Sequence, residues 1–416
     1  MTIIKRNGDI VDFNKEKIIN AINKAFIEVD SRLYETDTAI GIAEEIERIN
    51  KEKILGVEEV QDLVEEYLMR SERKDVAKAY IRYRYKKEIS RKHKKDWNDS
   101  LSNTLMAKNV QNQNANVDEY SFGGRVGETA DFVMRQFALD NCVSKMAREN
   151  HESNRIYIHD LSAYAVGNHN CLSVPFDDLL AKGFNTRQTD VRPAGSVNTA
   201  FQLVAVIFQL QSLQQFGGVS ATHLDWTMVP YVRKSFFKHY KDGVKYLEGR
   251  ELDYSFYPDL PIDEEDYKVY SDKAYQYALE QTQKEVHQAA EGLYHNLNTL
   301  QSRSGNQLPF TSLNYGTCTL PEGRMIIDAL LDISIEGLGK LHKTSVFPCG
   351  IFQSMRGVNQ RPGDPNYDLF QKALRSTAQR LYPNYANVDW SGNAGYDIND
   401  PCTYFSTMGK RKLQPI

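Results

Sequence analysis

The chain has 416 residues, 41% of them hydrophobic and 25% charged, which is ordinary for a globular protein and argues against disorder. Its formal net charge of −4 gives no support for a nucleic-acid partner, which normally requires a concentrated basic surface. No run of about 18 apolar residues occurs and no apolar signal-peptide core is present, so we expect no membrane span. A chain of this length is expected to form two or three domains.

The chain contains five cysteines, at positions 142, 171, 318, 349 and 402. They are odd in number and none forms a Cys-x-x-Cys pair, which indicates a reducing, cytoplasmic compartment and no zinc site within the chain. Free cysteines commonly behave as small buried hydrophobic residues. We expect this structural role for Cys142, Cys318, Cys349 and Cys402, and spacing alone gives Cys171 the same interpretation.

Residues 1–92 are predicted to form one small unit, a hairpin followed by helices. Asn7-Gly8, between two short apolar segments, is a strong signal for a tight hairpin turn. Asn14 is a suitable cap for a helix over residues 15–29, in which apolar residues recur at helical spacing. Further helices are expected over residues 37–48, 57–69 and 74–95. The basic cluster in the last of these helices is expected to be a solvated face.

Residues 93–416 are predicted to form the second domain, which a polar connection over residues 96–122 introduces. Helices are expected over residues 124–151, 196–215, 272–302 and 324–341. Strands are expected over residues 155–158, 310–314 and 345–352. The alternation of helices and strands indicates an α/β fold, and Gly217-Gly218 is expected to end the second helix.

The first candidate site lies in the N-terminal unit. Lys5 and Arg6 precede the hairpin turn, and Asn14 and Lys17 begin the helix that follows. Cations beside a helix N-terminus can hold a triphosphate, because the free N–H groups and the helix dipole favour anions. The alternative is a hairpin with solvated charges, because a Lys-Arg-x-Gly segment is short and common.

The N-terminal unit as a whole resembles the ATP-cone. The matching stretches are Ile4-Lys-Arg-Asn-Gly-Asp9, Asp12-Phe-Asn-Lys-Glu-Lys-Ile18, Val57-Glu-Glu-Val-Gln-Asp-Leu-Val64 and Asp75-Val-Ala-Lys-Ala-Tyr-Ile-Arg-Tyr-Arg84. The resemblance implies that Lys5, Arg6, Asn14 and Lys17 bind ATP or dATP and that the unit sets the activity of an attached enzyme. A transcriptional repressor also carries this module behind a zinc ribbon, but no Cys-x-x-Cys precedes it here.

Four stretches of the second domain carry a further resemblance. They are Ile158-His-Asp-Leu161 with His169-Asn-Cys171, Pro193-Ala-Gly-Ser-Val-Asn-Thr-Ala-Phe-Gln-Leu203 with Gln215-Phe-Gly-Gly218, Leu293-Tyr-His-Asn-Leu-Asn-Thr299 with Arg303 to Gly316, and Val346-Phe-Pro-Cys-Gly-Ile-Phe352. Together they resemble the large subunit of the anaerobic, oxygen-sensitive ribonucleoside-triphosphate reductase, a glycyl-radical enzyme. This resemblance spans about residues 97–409, and the ATP-cone in front of it matches the domain order of that family.

The resemblance implies a ten-stranded α/β barrel, built from two antiparallel halves of five parallel strands, with a finger loop through its centre. It also implies reduction of ribonucleoside triphosphates to deoxyribonucleoside triphosphates with formate as the electron donor. A thiyl radical, made by a stored glycyl radical, abstracts a hydrogen atom from the ribose C3′, and burial shields the radical from side reactions. Cys171 matches the cysteine on the first barrel strand and is the expected catalytic, reductive thiol.

Substrate phosphates are the expected ligands of two backbone segments at the ends of predicted elements. The candidate residues are Ser196, Asn198, Gly217 and Gly218. A capped helix and a helix stop explain the same residues without a ligand. His159 and Asp160 are expected to form a structural hydrogen-bonded pair, because the implied chemistry is radical rather than acid–base.

The match to the reductase family breaks near the end of the chain. The family's thiyl-radical cysteine is expected in a Met-Gly-Cys-Arg segment, but the chain has Thr407-Met-Gly-Lys-Arg411, with Lys410 in the place of the cysteine. The rest of the barrel, the four-cysteine zinc site and the glycyl-radical glycine are missing from the sequence. We therefore expect a frameshift, a premature stop or a split gene, and no reductase activity from this chain alone.

The resemblance also implies partners, namely ribonucleoside triphosphate substrates, a radical-SAM activating protein and a second copy of the chain in a homodimer. Two other functions stay open. One is a catalytically inactive, nucleotide-binding regulatory protein. The other is a different glycyl-radical enzyme such as a lyase, which the ATP-cone and the stretch over residues 293–316 disfavour.

Overall fold

The computed structural model describes residues 1–6, 8–30, 36–105, 121–167, 171–215, 217–252, 255–301, 308–390, 395, 397, 400–403 and 406–407. The chain divides into two compact units, Met1–Asn103 and Thr104–Ile416. The boundary expected after residue 92 falls inside a helix that runs over Lys74–Leu105. None of the described helices combines the length and the apolar character needed to cross a lipid bilayer.

The first unit is a small mixed sheet followed by helices. Its strands are β1 (Thr2–Ile4), β2 (Ile10–Asp12) and β3 (Ile54–Gly56). Its helices are α1 (Lys15–Val29), α2 (Thr36–Ile49), α3 (Val57–Arg70) and α4 (Lys74–Leu105). Strand β1 lies at the centre, antiparallel to β2 and parallel to β3. The predicted hairpin and the predicted helices of this unit are confirmed, and α4 is longer than expected.

Helix α1 illustrates how the local sequence builds the first unit. The Asn14 side chain accepts a hydrogen bond from the Glu16 N–H group and caps the helix, as predicted. Ile22, Ala25 and Phe26 recur at helical spacing and are buried. They join a core formed by Ile22, Ala25, Phe26, Ala39, Ile42, Ile46, Val64, Leu68, Val76, Ala77, Ala79 and Tyr80. The apolar faces of all four helices meet in this core, and its burial stabilises the unit.

The second unit alternates helices with short strands. Its helices are α5 (Phe122–Asn141), α6 (Lys145–Glu152), α7 (Leu161–Val166), α8 (Phe176–Lys182), α9 (Val197–Gln214), α10 (Leu224–Thr227), α11 (Val229–Glu248), α12 (Glu265–Tyr270), α13 (Asp272–Thr299), α14 (Pro321–Glu336) and α15 (Tyr367–Arg380). Its strands are β4 (Leu172–Ser173), β5 (Phe184–Asn185), β6 (Asp190–Val191), β7 (Val219–Ala221), β8 (Thr311–Tyr315), β9 (Cys349–Ser354) and β10 (Asn384–Asn387). A short 3₁₀ helix covers Pro401–Thr403.

Five strands of the second unit form one parallel sheet in the order β10-β9-β8-β7-β4. Each strand lies beside the next strand of the set, and helices make the connections, which confirms an α/β fold. All five residues of β8 are buried, so both faces of the sheet are covered. One half of the implied barrel has this number of parallel strands, and the described residues do not form a second half.

Helix α9 packs in the core beside the sheet. Ser196 caps it by accepting a hydrogen bond from the Thr199 N–H group at 3.2 Å. Eight of its residues are buried, whereas Leu210 and Leu213 near its end are exposed. Its residues share one hydrophobic cluster with residues of α13, α14, β7 and β8.

The single helix predicted over residues 124–151 is wrong, because the structure has two helices there. Helix α5 ends at Asn141, and the N–H group of Cys142 closes its last turn on the Ala138 carbonyl. Ser144 then starts α6 by accepting a hydrogen bond from the Ala147 N–H group. Ser144 is a residue type that commonly caps helices, and it was the sequence signal for a new helix that the prediction missed.

The strand predicted over residues 155–158 is also wrong. The N–H groups of Arg155 and Ile156 both bond to the Asn150 carbonyl, and the N–H group of Ile158 bonds to His151 Nδ1. The segment therefore closes the end of α6 instead of pairing with a strand.

The remaining predicted elements of the second unit are confirmed with shifted ends. Helix α9 stops at Gln214, so Gly217-Gly218 does not end it as predicted. Helix α14 stops at Glu336, because Gly337 has a φ of +76°, which does not continue an α-helix. Glycine suits this position, since a Cβ there would lie 2.6 Å from the His342 carbonyl oxygen. Strand β8 lies one residue later than predicted at both ends, and β9 begins at Cys349 instead of residue 345 and ends at Ser354 instead of residue 352.

Replacing Phe26 by alanine is expected to destabilise the first unit by about 3–5 kcal/mol, because the ring is fully buried and leaves a cavity. Its neighbour Ile27 is 43% exposed, so Ile27→Ala should cost about 1 kcal/mol or less. Hydrogen exchange of the buried amides in α1–α3, followed by mass spectrometry on the whole chain, measures both effects. Equal losses of protection in the two variants would contradict the burial of Phe26.

Candidate functional site

Cys171 lies at the amino end of β4, one residue before the strand begins. Its half-buried thiol accepts a hydrogen bond from the Gly218 N–H group, with 3.4 Å between nitrogen and sulfur. The Leu172 N–H group in turn donates to the Gly218 carbonyl at 3.0 Å. The pairing of β4 with β7 therefore fixes Cys171 beside the Gly217-Gly218 segment. His169, which was part of the same sequence stretch, lies outside the described residues.

The four residues expected to bind substrate phosphates do not come together. Ser196 and Asn198 lie at the start of α9, and Gly217 and Gly218 follow its end. This helix has 18 residues and is therefore about 27 Å long. One phosphate group cannot contact both ends, and only the Gly217-Gly218 segment is adjacent to Cys171.

The N–H groups in the first turn of α9 already have partners inside the protein. The Val197 N–H group donates to Ser235 Oγ at 3.0 Å, and the Thr199 N–H group donates to Ser196 Oγ. The Asn198 backbone hydrogen-bonds the Glu285 carboxylate. Partial burial would raise the pKa of Glu285, but the bonds from His239 and Ser235, together with this backbone bond, lower it. The amino end of α9 thus satisfies its donors without a bound anion.

Asn314 connects the centre of the sheet to the segment near the end of the described chain. It lies on β8 and is fully buried. Its side-chain amide donates to Ser220 Oγ at 3.1 Å and to the Ala221 carbonyl at 2.9 Å on β7. Asn314 Nδ2 also lies 3.0 Å from the Thr407 carbonyl oxygen, so its two N–H groups are shared among three acceptors, and its Oδ1 accepts from the Thr407 N–H group at 3.2 Å. Asn314 thus binds the Thr407 peptide as a neighbouring strand would. Lys410 lies outside the described residues.

A buried carboxylate fixes the turn that follows β8. Asp225 is 0% exposed, and its Oδ2 accepts hydrogen bonds from the N–H groups of Gly316, Thr317 and Cys318 at 2.9, 3.0 and 2.9 Å. Burial raises the pKa of Asp225, and the backbone donors oppose that rise. Gly316 has a φ of +124°, and a Cβ there would lie 3.1 Å from the Gln353 carbonyl oxygen.

Asp177 and His223 meet beyond the carboxyl ends of β4 and β7. His223 Nε2 lies 2.6 Å from Asp177 Oδ2, and the Thr227 hydroxyl donates to Asp177 Oδ1 at 2.6 Å. His223 Nδ1 lies 2.7 Å from Thr222 Oγ1. Partial burial would raise the pKa of Asp177, but the bonds from His223 and Thr227 outweigh it and lower the pKa. This pair was not predicted from the sequence. The available signal was His223, which follows β7 closely and therefore lies at the edge of the sheet.

The cysteines divide between buried and exposed positions. Cys318 is buried, as predicted, and Cys349 is half-buried at the start of β9. Cys142 and Cys402 are exposed, so the prediction that they are buried packing residues is wrong. Cys142 follows the end of α5, and Cys402 lies in a short 3₁₀ helix, where neither side chain faces a core.

One further predicted pair of side chains can be checked in the second unit. His159 Nδ1 lies 2.6 Å from Asp160 Oδ1, which confirms the predicted pair. A cavity of about 650 Å³ lies between α13, α14 and α15, and its lining includes His287, Arg324 and Asp328. None of the residues predicted to bind nucleotide or substrate lines it.

In the first unit, Arg6, one of the expected nucleotide contacts, lies beside the start of α3. Strand β3 pairs with β1 so that Gly56 is opposite Ile4, which brings Glu58 close to Arg6. Arg6 Nε donates to Glu58 Oε1 at 2.7 Å, and Lys5 Nζ lies 3.5 Å from Asp9 Oδ2. All four side chains are about half exposed, so both ion pairs are open to solvent and to competition.

Glu58 also receives a hydrogen bond from Arg84 at 3.0 Å, and Asp62 and Glu65 hold the same guanidinium at 2.6 and 2.9 Å. Partial burial opposes the effect, but the bonds from Arg6 and Arg84 lower the pKa of Glu58. Glu58 therefore remains an anion at the position where a phosphate would meet Arg6.

The other two expected nucleotide contacts lie at the opposite end of the hairpin. Ile4 pairs with Ile10 next to the turn, and Thr2 pairs with Asp12 at the far end, just before Asn14. Lys17 follows in the first turn of α1 and is exposed. A ligand that contacts both Arg6 and Asn14 must therefore extend along the hairpin, as a nucleoside triphosphate can.

Comparison with known families assigns both units. Residues 113–412 match the family described as "Anaerobic ribonucleoside-triphosphate reductase". Residues 1–89 match the family described as "ATP cone domain". The first match covers more than half of the chain, and the chain therefore belongs to the anaerobic ribonucleoside-triphosphate reductase family.

Individual relatives agree with this assignment. The chain is 31% identical to the anaerobic ribonucleoside-triphosphate reductase of Haemophilus influenzae over 392 residues, which is 93% of this chain and 52% of that protein. It is 30% identical to the enzyme of the same name from Escherichia coli, over 93% of this chain and 51% of that protein. The chain thus spans about half the length of the curated relatives it matches.

Among solved structures, the anaerobic ribonucleotide reductase of Thermotoga maritima in complex with dATP and CTP aligns with a TM-score of 0.44 at 14% identity. The alignment covers 71% of this chain and 47% of that chain.

Replacing Asn314 by alanine is expected to cost about 1–3 kcal/mol, because the β7 carbonyl and the Thr407 peptide lose a buried partner. It should also release the Thr407 segment, seen as faster hydrogen exchange or protease cleavage there. Asn359 is a matched control, since it is equally buried and bonds the Gly316 and Gln353 carbonyls instead. Asn359→Ala should destabilise the unit and leave Thr407 protected, and equal release in both variants would contradict the role of Asn314.

Proposed function

We propose that this chain supplies the nucleotide-regulated, cysteine-bearing part of an enzyme that reduces ribonucleoside triphosphates to deoxyribonucleoside triphosphates. The family match over residues 113–412 carries this proposal. In the proposed domain organisation, residues 1–92 form an ATP-cone and residues 93–416 form a reductase barrel. The proposed location is the cytoplasm.

Cys171 is the proposed catalytic thiol. It is half-buried and lies beside a glycine pair whose backbone a ligand can approach closely. A thiol with this exposure can be reached by a bound sugar, whereas the fully buried Cys318 cannot. Gly217 and Gly218 are the proposed substrate contacts nearest to this thiol. Ser196 and Asn198 belong to the proposal only as contacts to a different part of a substrate, since α9 separates them from Cys171.

The proposal includes the partners and co-reactants of the family chemistry. They are formate as the reductant, a radical-SAM activating protein that installs the glycyl radical, and a second copy of the chain. The half of the relatives that this chain does not match is the proposed source of the glycyl-radical and zinc residues.

Turnover is expected when the chain is mixed anaerobically with a fragment of the Haemophilus influenzae protein that contains the half that this chain does not match and also the segment corresponding to residues 407–411. The fragment must include that segment, because Lys410 stands where the thiyl-radical cysteine is expected. The mixture needs the activating protein, formate, ATP and a ribonucleoside triphosphate, and chromatography measures the deoxyribonucleotide. Cys171→Ser should abolish product formation, because a serine hydroxyl cannot replace a thiol in hydrogen-atom and electron transfer. The exposed Cys142 is the control, and Cys142→Ser should keep full activity.

An unchanged rate in Cys171→Ser would remove that residue from the chemistry. Absence of product from the unmodified chain, under conditions where the complete Haemophilus influenzae protein is active, would favour the inactive regulatory protein. Nucleotide binding by the cone does not depend on this outcome.

The cone is proposed to bind ATP or dATP through Lys5, Arg6, Asn14 and Lys17. Calorimetric titration should show binding, and Arg6→Ala should weaken it roughly tenfold to a hundredfold, because a charge-assisted hydrogen bond contributes about 1.5–3 kcal/mol. Arg48 is the matched control, since it also pairs with a glutamate, at 2.7 Å, and lies on α2. Arg48→Ala should leave the affinity unchanged.

Glu58 competes with phosphate for Arg6 in this arrangement, so Glu58→Gln should raise the affinity for ATP severalfold. Equal affinities of Arg6→Ala and the unmodified chain would show that the nucleotide does not use this cation. A lower affinity of Glu58→Gln would indicate that Glu58 instead orients Arg6 for binding.

A further inference from the structure

Three potential metal ligands from distant parts of the sequence converge at the carboxyl edge of the parallel sheet. Asp177 lies in the first turn of α8 after β4, His223 follows β7, and Cys402 lies in the 3₁₀ helix Pro401–Thr403. One carboxylate oxygen, one imidazole nitrogen and the sulfur all lie within 4.8 Å of one another. The cluster stands apart from Cys171, which is at the amino end of β4.

Two of the three ligand groups are already oriented by hydroxyl groups. His223 Nε2, which faces the cluster, lies 2.6 Å from Asp177 Oδ2 and 4.0 Å from Cys402 Sγ. The far side of each group is held, since Thr222 Oγ1 is 2.7 Å from His223 Nδ1 and Thr227 Oγ1 is 2.6 Å from Asp177 Oδ1. Outer partners of this kind fix the direction of ligands in metal sites.

The exposure of the three groups matches a metal site with an open position. His223 is almost completely buried, whereas half of the Asp177 side chain is exposed and Cys402 is exposed. Solvent can therefore supply a fourth ligand opposite a fixed imidazole. One nitrogen, one oxygen and one sulfur ligand form a set that suits Zn²⁺ in tetrahedral coordination, with ligand distances of about 2.0–2.3 Å.

A second His–carboxylate pair in the same unit, which lacks a third ligand in the part of the chain that the structure describes, provides a comparison. His239 Nε2 lies 2.8 Å from Glu285 Oε2, and the Ser235 hydroxyl donates to Glu285 Oε1 at 3.2 Å. This pair has the same hydrogen-bonding pattern as His223 with Asp177. Among the described residues it belongs to no group of three potential ligands, because no thiol or further carboxylate completes it.

We propose that Asp177, His223 and Cys402 bind a divalent transition-metal ion, with Zn²⁺ as the best fit and water as the fourth ligand. The site requires no Cys-x-x-Cys pair, since each ligand comes from a different segment of the chain. It is separate from the four-cysteine zinc site that the family resemblance implies. Binding would tie the 3₁₀ helix to the ends of β4 and β7.

Co²⁺ is a suitable probe, because cobalt bound to a thiolate gives a charge-transfer band in the near ultraviolet. Titration of the metal-free, 416-residue chain with Co²⁺ should give this band at one equivalent, and Zn²⁺ should displace it. Cys402→Ser should abolish the band, and His223→Ala should weaken binding at least about tenfold. His239→Ala and Cys142→Ser are the controls and should behave as the unmodified chain.

Absence of the band, or a band that survives Cys402→Ser, would overturn the proposal. A band lost in Cys142→Ser or His239→Ala would assign the metal to other residues and would overturn it equally. If His223→Ala does not fold, Cys402→Ser decides, because its side chain is exposed and its replacement leaves the core intact. None of these outcomes depends on reductase activity or on nucleotide binding by the cone.

Discussion

The fold around the candidate site depends on a single buried carboxylate, that of Asp225. It extends from α10 to the turn after β8 and accepts hydrogen bonds from three consecutive backbone N–H groups. Burying a charge is costly, and three donors from the chain that the carboxylate positions offset part of that cost. Burial still raises the pKa of Asp225, and its Oδ1 has no hydrogen-bond partner among the described residues. The carboxyl ends of β7 and β8 are therefore held in a fixed relation, because α10 follows β7 directly.

Other buried polar groups complete the same turn from the opposite side. Asn359 donates to the Gly316 carbonyl at 3.0 Å, and Asn366 donates to the Gly316 and Cys318 carbonyls at 3.1 and 2.9 Å. Three N–H groups and two C=O groups of this irregular segment thus have partners although it is buried, which is the condition for keeping a loop inside a core. With the turn fixed, Asn314 on the preceding strand is placed to bind both β7 and the Thr407 peptide.

The sequence predicted those features that depend on neighbouring residues. Helix α1, its Asn14 cap and the α/β alternation follow from local spacing and capping, and all are confirmed. The strand predicted over residues 155–158 is absent, because the N–H groups of this segment donate to residues of α6 and not to a neighbouring strand. The residues predicted to bind substrate phosphates lie at the two ends of α9, and the length of this helix separates Ser196 and Asn198 from Gly217 and Gly218.

Long-range pairings explain why part of the site escaped prediction. Asp177 and His223 are 46 residues apart, and Cys402 is 179 residues from His223, so no local pattern relates them. The structure brings them together at the carboxyl edge, where ligands bind in open parallel sheets. Cys171 lies at the other edge, and that rule alone would not select it. Its assignment depends on the resemblance to the reductase family, whereas the Asp177–His223–Cys402 cluster is formed by elements that the structure describes.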